Sequence, residues 1–470
     1  MQAVLSIIGM LLGGLAFAML LPALADPDHA LKFLASSAAT SFVAGWLYFG
    51  NRRQEGYKIS IREAYLLTAS AWIAVTVFSA LPLTLSGLTP TDAIFEAVSG
   101  LTTTGSTVMT DLDEWSKGIL LWRALMQWVG GIGIIVTSIA ILPLLRVGGM
   151  QLFRTESSTA EKELPRAAKI AGETLWVYLA LSGLCAIGYW AAGMSGFDAI
   201  AHAMTTLSTG GYSTHDLSFG HFESPAIPWI AIVFMLAGGI PFVLYIRTLH
   251  GGSLASVQVR SLVIFLVVVV AILTVWRMGR EEVTAFQAVT QVAFNVVSVV
   301  TTTGFATTDY MQWGALAVVV FFVLTFAGAC TGSTAGGLKF MRIVITLKMC
   351  RLEMKKVVHP HGVNREKYEN RTLTGDVMGS VGGFVFVYFT SIVVLAMLLQ
   401  ATGLDFVTSF SGAATAIANV GPGVGPVIGP AGTFAELPDA AKWLLCIGML
   451  FGRLEFFTFL VLLTPAFWRP

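Results

Sequence analysis

The sequence predicts an all-α polytopic membrane protein in which two N-terminal spans precede four tandem helix–pore loop–helix repeats around one pseudo-fourfold pore. Two observations lead to this prediction. Only 12% of the 470 residues are charged, far below the usual share in a soluble domain, and several apolar runs reach the length that crosses a bilayer as a helix. In addition, a short glycine-ending segment occurs four times at intervals of about a hundred residues, which indicates an internal repeat.

The apolar runs predict about ten full spans. The first run ends at Ala23-Leu24-Ala25, which resembles a signal-peptidase site. No Lys or Arg precedes the run, and it is longer than a usual signal-peptide core, so we expect an uncleaved span. The expected spans lie near 3–25, 31–50, 62–82, 118–145, 170–193, 226–248, 257–277, 312–346, 373–400 and 438–466.

These spans divide the chain into five predicted units that lie in the lipid bilayer. Residues 1–50 form two N-terminal transmembrane helices, 51–146 form repeat 1 and 147–250 form repeat 2. Residues 251–347 form repeat 3, whose second helix is broken, and 348–470 form repeat 4 with a basic cytoplasmic segment before it.

The distribution of basic residues predicts the orientation. With the N-terminus inside, the cytoplasmic connections are 51–62, 146–169, 247–260 and 339–371. Together with Arg469 they hold 21 of the 28 Lys and Arg residues, as the positive-inside rule requires. The pore loops therefore enter from the outer face.

Several classes of function find no support in the sequence. The formal net charge of +1 gives no reason to expect a nucleic-acid partner. The chain has no GxxxxGK[ST], HExxH or GxSxG motif, so we expect neither an enzyme nor an organic cofactor. The isolated cysteines, Cys185, Cys330, Cys350 and Cys446, lack CxxC spacing and are interpreted as small apolar side chains.

The four glycine-ending loops predict a filter for a monovalent cation. Each follows a short apolar helix of about ten to twelve residues, too short to span, so each helix and loop should be re-entrant. Backbone carbonyls of such loops replace the water around an alkali ion, and the C-terminal end of a short helix favours a cation. The loops contain no carboxylate, which disfavours a filter for multivalent ions. The candidate ligands are Thr103, Thr104, Gly105, Thr209, Gly210, Thr302, Thr303, Gly304, Asn419, Val420 and Gly421.

Residues 328–337 interrupt the second helix of repeat 3 with ten small residues in a row. Two interpretations are open: a close helix crossing built from small residues, or an unwound loop below the filter that acts as a movable barrier. The second interpretation makes a gate of Gly328, Gly332, Ser333, Gly336 and Gly337.

Ionisable residues inside the membrane suggest functional sites. Arg453 and Glu455 lie in the last span. Either they have a structural role, paired with each other or with backbone carbonyls, or Arg453 faces the pore below the filter. In the second case its guanidinium bonds the carbonyls of the 328–337 loop and repels cations when the pore is closed. Glu96 is either a filter brace or an outer-rim charge.

Four further polar residues have simpler interpretations. Arg123, near the outer end of its span, is expected to extend its charge to the interface. Asp92 and Asp198 are expected to be the N-caps of two pore helices. His202 is interpreted as a packed polar residue rather than a ligand.

At these residues the chain resembles the Trk/Ktr/HKT superfamily of potassium transporters, and within it the bacterial TrkH/TrkG type. The two additional N-terminal spans favour TrkH over the KtrB type. The resemblance rests on TTTGS at 102–106, STGGYST at 208–214, TTTGFATTD at 301–309, NVGPGVG at 419–425, GSTAGG at 332–337, GRLE at 452–455 and a cytoplasmic motif at 153–158.

The resemblance implies a potassium uptake protein of the bacterial inner membrane. Family members conduct potassium inward, form homodimers and are gated by a cytosolic ring of nucleotide-binding RCK subunits (TrkA-like). By this resemblance K⁺ binds in a filter lined by Gly105, Gly210, Gly304 and Gly421. In plant members a serine at the first position accompanies sodium transport, so four glycines imply potassium.

The resemblance also assigns roles on the cytoplasmic side. The 328–337 loop and Arg453 match the family's gate. The segments 339–371 and 146–169 would face the regulatory ring.

Three other functions remain open from the sequence. The first is a proton- or sodium-coupled potassium symporter, for which Glu455 or Glu96 would be the coupling group. The second is a pore that passes both potassium and sodium, and the third is a receptor or assembly subunit that does not conduct.

Overall fold

The computed structural model describes residues 2–51, 60–140, 160–253, 255–362, 366–369 and 371–468. Most of them are helical. The N-terminal unit is a pair of antiparallel helices, in which Ser37 Oγ donates a hydrogen bond of 2.7 Å to the carbonyl of Ala16. Its helices are α1 Gln2–Ala18, α2 Leu20–Ala25 and α3 Ala30–Gly50.

Four repeats of a helix, a short pore helix and a second helix follow. Repeat 1 contains α4 Ile61–Ser79, α5 Leu81–Leu85, the pore helix α6 Pro90–Leu101 and α7 Lys117–Ala140. Repeat 2 contains α8 Ala160–Ala191, the pore helix α9 Gly196–Leu207, α10 Ala226–Gly239 and α11 Phe242–Leu249.

The last two repeats have the same order. Repeat 3 contains α12 Val257–Met278, the pore helix α13 Ala285–Val300, α14 Ala315–Thr325 and α15 Phe340–Val358. A short hairpin of two antiparallel strands, β1 Lys367–Tyr368 and β2 Arg371–Thr372, precedes repeat 4. Repeat 4 contains α16 Gly375–Ala401, the pore helix α17 Phe406–Ala418, α18 Asp439–Arg453, α19 Phe457–Leu463 and α20 Pro465–Trp468.

The outer helices expose large apolar side chains, and the short pore helices are buried between them, as expected for a membrane protein. Large apolar side chains are exposed on the outer helices, among them Phe42, Trp176, Val275 and Phe386, where lipid is the solvent. The pore helices are enclosed by the other helices, and α17 is buried at every residue from Ser411 to Ala418. The chain is therefore a multi-pass membrane protein with an interior built around its four short helices.

The ten expected spans are not all present as single long helices among the described residues. Among the described residues, seven helical segments are long and apolar enough to cross a membrane, and an eighth is formed if α10 and α11 are taken together. Within the described residues the second helix is broken in repeats 2, 3 and 4, whereas the sequence predicted a break in repeat 3 alone. In repeat 2 the break lies at Ile240–Pro241, where the axes bend by 89°, because proline cannot donate the helical hydrogen bond.

The pore helices begin at side-chain caps, and here two expectations were wrong. Asp92 and Asp198 are the third residues of their helices, not the N-caps. Each carboxylate accepts a hydrogen bond from the capping hydroxyl, at 2.8 Å and 2.6 Å respectively. The capping side chains, which accept hydrogen bonds from backbone N–H groups of the first turn, are Thr89, Ser195, Thr284 and Asp405.

Candidate functional site

The pore loops that follow the four pore helices, numbered 1 to 4 by repeat, begin with the same backbone turn. The second residue after each helix, or the first in repeat 4, has a left-handed conformation: φ is 51° at Thr103, 51° at Thr209, 58° at Thr302 and 55° at Asn419. Two residues later a glycine also has positive φ: 85° at Gly105, 81° at Gly211, 85° at Gly304 and 106° at Gly421. The four loops are therefore equivalent in conformation, although loop 4 has no threonine before its glycine.

In loop 2 the bend lies at Gly211, one residue later than the resemblance implied. Gly210 is instead equivalent to Thr104, Thr303 and Val420, because all four amides donate to the carbonyl five residues earlier, at 2.8–3.1 Å. The sequence Ser208-Thr209-Gly210-Gly211 offers two glycines, and only the backbone conformation distinguishes them.

The four loops form a closed ring. A Cβ atom added to the bend glycine of each loop would overlap a backbone carbonyl oxygen in the next loop. The distances from this added Cβ to the carbonyl oxygen are 2.2 Å from Gly105 to Gly210, 1.8 Å from Gly211 to Thr303, 2.1 Å from Gly304 to Val420 and 2.8 Å from Gly421 to Thr104. The candidate filter residues are thus brought together, and glycine is needed at the bends because no side chain fits there.

Side chains behind the ring fix the loops. Gln127 Nε2 donates to the carbonyl of Gly210 at 2.6 Å, while its Oε1 accepts from the amide of Tyr212 at 3.0 Å. Between loops, Ser106 Oγ donates to the carbonyl of Gly421 at 2.8 Å, and Asn419 Nδ2 donates to Thr104 Oγ1 at 2.9 Å.

A buried ion pair supports loops 1 and 2 from the outer side. Glu96 is completely buried and Arg123 is 1% exposed, so the expectation that Arg123 extends to the interface was wrong. Arg123 Nε contacts Glu96 Oε1 at 2.8 Å, and Nη1 donates to the carbonyl of Ser213 at 3.0 Å. Glu96 Oε2 accepts from the amide of Val108 at 3.0 Å. A buried charge pair is tolerated when its remaining polar atoms are also bonded, which is the case here.

The segment 326–339 between α14 and α15 is not helical and contacts three of the four pore loops. The amide of Gly336 donates to Thr302 Oγ1 at 2.7 Å, and the amide of Gly337 donates to the carbonyl of Ala418 at 2.8 Å. Thr334 Oγ1 donates to the carbonyl of Leu207 at 3.1 Å. Of the two interpretations of the small-residue run, the unwound conformation agrees with these contacts and a helix crossing does not, while the role as a movable barrier stays a prediction.

Arg453 is 3% exposed and its Nη1 donates to the carbonyl of Thr334 at 2.9 Å. Its Nε and Nη2 have no hydrogen-bond partner among the described residues. The alternative in which Arg453 pairs with Glu455 is wrong, since Glu455 pairs with Arg342. The helix is interrupted at Glu455 and Phe456, where φ is 58° and 36°.

A small cavity lies beside this loop. It is lined by Ser333, Gly336, Lys339, Gly452, Arg453 and Glu455, among others. Two basic side chains, Lys339 and Arg453, and the Glu455 carboxylate therefore flank this space. The positive φ of 66° at Lys339 marks the start of α15.

The outer surface of loop 2 carries a histidine cluster. His202 is buried, with Nδ1 2.9 Å from the carbonyl of Asp198 and Nε2 3.0 Å from Ser213 Oγ, which agrees with a packed polar residue. His215 contacts Asp113, and its Nε2 lies 3.6 Å from Asp198 Oδ1. Asp198 raises the pKa of His215, and the hydrogen bond from His215 lowers the pKa of the Asp113 carboxyl.

The remaining predicted residues lie apart from the ring or outside the described residues. Cys185, Cys330 and Cys446 are buried as expected, while Cys350 is exposed. The motif at 153–158 and most of the 146–169 connection lie outside the described residues, as do residues 363–365 and 370 of the basic segment.

Sequence reasoning missed four residues of the site: Gln127, Gly211, Lys339 and Arg342. Gln127 lies in an apolar helix, and its partner Gly210 is 83 residues away along the chain. Arg342 lies in a basic helix, and its partner Glu455 is 113 residues away. Gly211 was visible as the second glycine of its pair. Lys339 was counted only as a basic residue of the cytoplasmic connection.

Comparison with known proteins agrees with this arrangement. The family model described as "TrkH: Cation transport protein" matches residues 29–469. The Trk system potassium uptake protein TrkI of Halomonas elongata is 51% identical over 87% of this chain and 84% of its own length. The Trk system potassium uptake protein TrkH of Escherichia coli K12 is 39% identical over 100% of this chain and 99% of its own length.

A solved structure has the same fold. The crystal structure of the potassium transporter TrkH from Vibrio parahaemolyticus superposes with a TM-score of 0.92 and 36% identity, covering 100% of this chain and 99% of that one. The family consists of transporters rather than enzymes, and its bacterial members fit a location in the inner membrane. The chain belongs to the TrkH family of cation transport proteins.

Proposed function

We propose that the chain takes up potassium through a K⁺-selective, channel-like pore in which the ring of Thr104, Gly210, Thr303 and Val420 carbonyls coordinates the ion. The observation that carries the proposal is the closure of the ring, in which each bend glycine contacts the carbonyl of the next loop. The names of the relatives, all potassium uptake proteins, support K⁺ as the transported ion.

The physical argument concerns dehydration. An alkali cation loses its water only where several oxygen dipoles are held at fixed positions. Hydrogen bonds from Gln127, Ser106 and Asn419 hold these loops from behind. The C-terminal ends of four pore helices meet the ring, and their partial negative charge stabilises a cation there.

The proposed driving force is the electrochemical gradient alone. At a membrane potential of 100 mV, inside negative, each entering cation gains about 2.3 kcal/mol. A coupled symporter would need a titratable group that exchanges protons or binds sodium. The two carboxylates that the sequence singles out for that purpose, Glu96 and Glu455, are each paired with an arginine, which favours the pore over the symporter.

The test is rubidium uptake into liposomes that contain only the purified chain, with sodium as competitor and with pH and sodium gradients varied. We expect rubidium flux that is selective over sodium and independent of both gradients. Gly105→Ser should reduce the selectivity, because a Cβ at Gly105 meets the carbonyl of Gly210. Flux that requires a proton or sodium gradient would establish the symporter, and absence of flux would favour a non-conducting subunit.

We also propose that the 326–339 segment is the gate and that Arg453 holds it closed. Three observations support this proposal: the hydrogen bonds from the segment to Thr302 and Ala418, the hydrogen bond from Arg453 to Thr334, and the cavity flanked by Arg453 and Lys339. The segment also packs Ala329, Cys330 and Ala335 into the apolar core, so opening displaces only small side chains at these positions.

The regulatory proposal is a homodimer controlled by a cytosolic ring of nucleotide-binding RCK subunits. The word "system" in the names of the relatives and the basic helix α15 on the predicted cytoplasmic side support it. Light scattering of the detergent-solubilised chain measures the dimer. Flux with and without the partner, each with ATP or ADP, measures the control; nucleotide-independent flux in the presence of bound partner would contradict it.

A further inference from the structure

We propose that Asp113, His215 and His221 form an external binding site for one divalent transition-metal ion of the Zn²⁺ class, and that its occupancy slows potassium entry. The second half of this proposal rests on the proposed function, and the first half does not. The site lies outside the ring of carbonyls, on the segments that leave pore loops 1 and 2.

The geometry brings together three ligands of the kind Zn²⁺ takes. One ligand atom from each of the three residues lies within 4.8 Å of the others. The rings of His215 and His221 are stacked with centroids 3.5 Å apart and planes 4° apart, and His215 Nδ1 contacts Asp113 Oδ1. Small rotations of the exposed Asp113 and His221 side chains bring all three atoms to one ion.

The chemistry selects the class of metal. Two imidazoles and one carboxylate, with a water in the fourth position, form a common three-ligand zinc site. K⁺, Na⁺, Mg²⁺ and Ca²⁺ prefer oxygen ligands, whereas imidazole suits Zn²⁺, Cu²⁺ and Ni²⁺.

The surroundings of His215 add a second observation. A metal-bound imidazole usually presents its other nitrogen to a carboxylate, which fixes the ring. With Nδ1 at Asp113, His215 Nε2 lies 3.6 Å from Asp198 Oδ1, and this buried Nε2 lacks a hydrogen-bond partner among the described residues. Asp198 in turn accepts from Thr214 Oγ1 at 2.8 Å.

The site is joined to three pore loops. The amide of His215 donates to Ser213 Oγ at 3.0 Å, and the carbonyl of Ser213 accepts from Arg123 behind the filter. The amide of Phe219, in the 3₁₀ turn that carries His221, donates to the carbonyl of Ala306 after loop 3 at 3.0 Å. A divalent ion at this position adds positive charge at the outer entrance, which lowers the local concentration of K⁺, and it restrains the loops of the ring.

The binding test uses the full chain in lipid nanodiscs, titrated with ZnCl₂ by calorimetry, and with Co²⁺ followed by its visible ligand-field absorption. We expect one ion per chain. His221→Gln, a change at an exposed side chain, should weaken Zn²⁺ binding by about tenfold or more, in line with the sensitivity of metal sites to their ligand shells. His250→Gln replaces an exposed histidine elsewhere and should leave binding unchanged.

The flux test adds Zn²⁺ outside liposomes and measures rubidium uptake. We expect inhibition of the wild type and of His250→Gln, and a shift of inhibition to about tenfold higher Zn²⁺ in His221→Gln. Equal Zn²⁺ binding in wild type and His221→Gln, or no binding, overturns the site. Specific binding without inhibition overturns the effect on flux. A wild type that conducts nothing without Zn²⁺ contradicts the pore, while the titration still decides the site.

Discussion

The Cα of Gly211 faces the carbonyl oxygen of Thr303 in the neighbouring pore loop so closely that a Cβ atom would lie 1.8 Å from it. The same relationship links loop 1 to loop 2, loop 3 to loop 4 and loop 4 to loop 1. At the four bends, the width of the proposed filter is therefore set by the close approach of glycine and carbonyl groups.

Gly211→Ala should disrupt the ring. The added methyl meets the Thr303 carbonyl and also forces a residue with a Cβ into φ of 81°, a conformation that costs an alanine about 1 kcal/mol. We expect rubidium-over-sodium selectivity to fall, measured by uptake into liposomes with competing sodium. Gly183→Ala, at a helical glycine with open space around it, should behave as wild type; unchanged selectivity in Gly211→Ala would contradict the ring.

Gln127→Leu should loosen loop 2. It removes the donor to the Gly210 carbonyl and the acceptor for the Tyr212 amide, and an unsatisfied buried group costs about 1–3 kcal/mol. We expect a lower melting temperature and reduced selectivity for rubidium. Gln400→Leu, at an exposed helix end, is the control. A Gln127→Leu protein with full selectivity would show that these two hydrogen bonds do not hold the filter.

Glu96 and Arg123 should be strongly coupled in stability. Removing one partner of a buried ion pair costs about 3–5 kcal/mol, because the other charge is left uncompensated. Glu96→Gln and Arg123→Met should each lower the thermal stability of the detergent-solubilised chain markedly. The double variant should be more stable than the sum of the two losses predicts. Additive losses would mean that the two side chains stabilise the fold independently.

Arg453→Ala should increase unregulated flux. The hydrogen bond from the guanidinium to Thr334 is lost, and a hydrogen bond to a charged group contributes about 1.5–3 kcal/mol. The ratio of closed to open molecules should therefore fall by roughly tenfold or more. Rubidium uptake without the regulatory partner measures this. Arg453→Lys, which retains the charge, should have a flux between those of the wild type and Arg453→Ala. Reduced flux in a well-folded Arg453→Ala protein would argue against the gate.

Local pattern was sufficient for much of the architecture. Apolar runs identified the membrane-embedded helices, the glycine-ending segments identified four pore loops, and the ten small residues at 328–337 identified the non-helical segment. These features depend on the composition of a few consecutive residues. The errors at Asp92 and Asp198 were also local: Thr89 and Ser195, three residues earlier, are the caps.

Contacts between distant segments could not be read in this way. Arg123 is buried because Glu96 lies opposite it, and Glu455 pairs with Arg342 rather than with the nearby Arg453. The cluster of Asp113 with His215 and His221 joins residues about a hundred positions apart. In each case the sequence gives the charge of a side chain but not its neighbours.

By itself the sequence determined that this chain is a membrane protein with a fourfold repeat of pore loops, because hydrophobic length and glycine placement are properties of single segments. Only the tertiary structure decided which glycine bends in loop 2, which arginine pairs with which carboxylate and how the loops close into a ring. Those outcomes depend on atoms a few ångströms apart that belong to different helices, and no pattern within one segment records such distances.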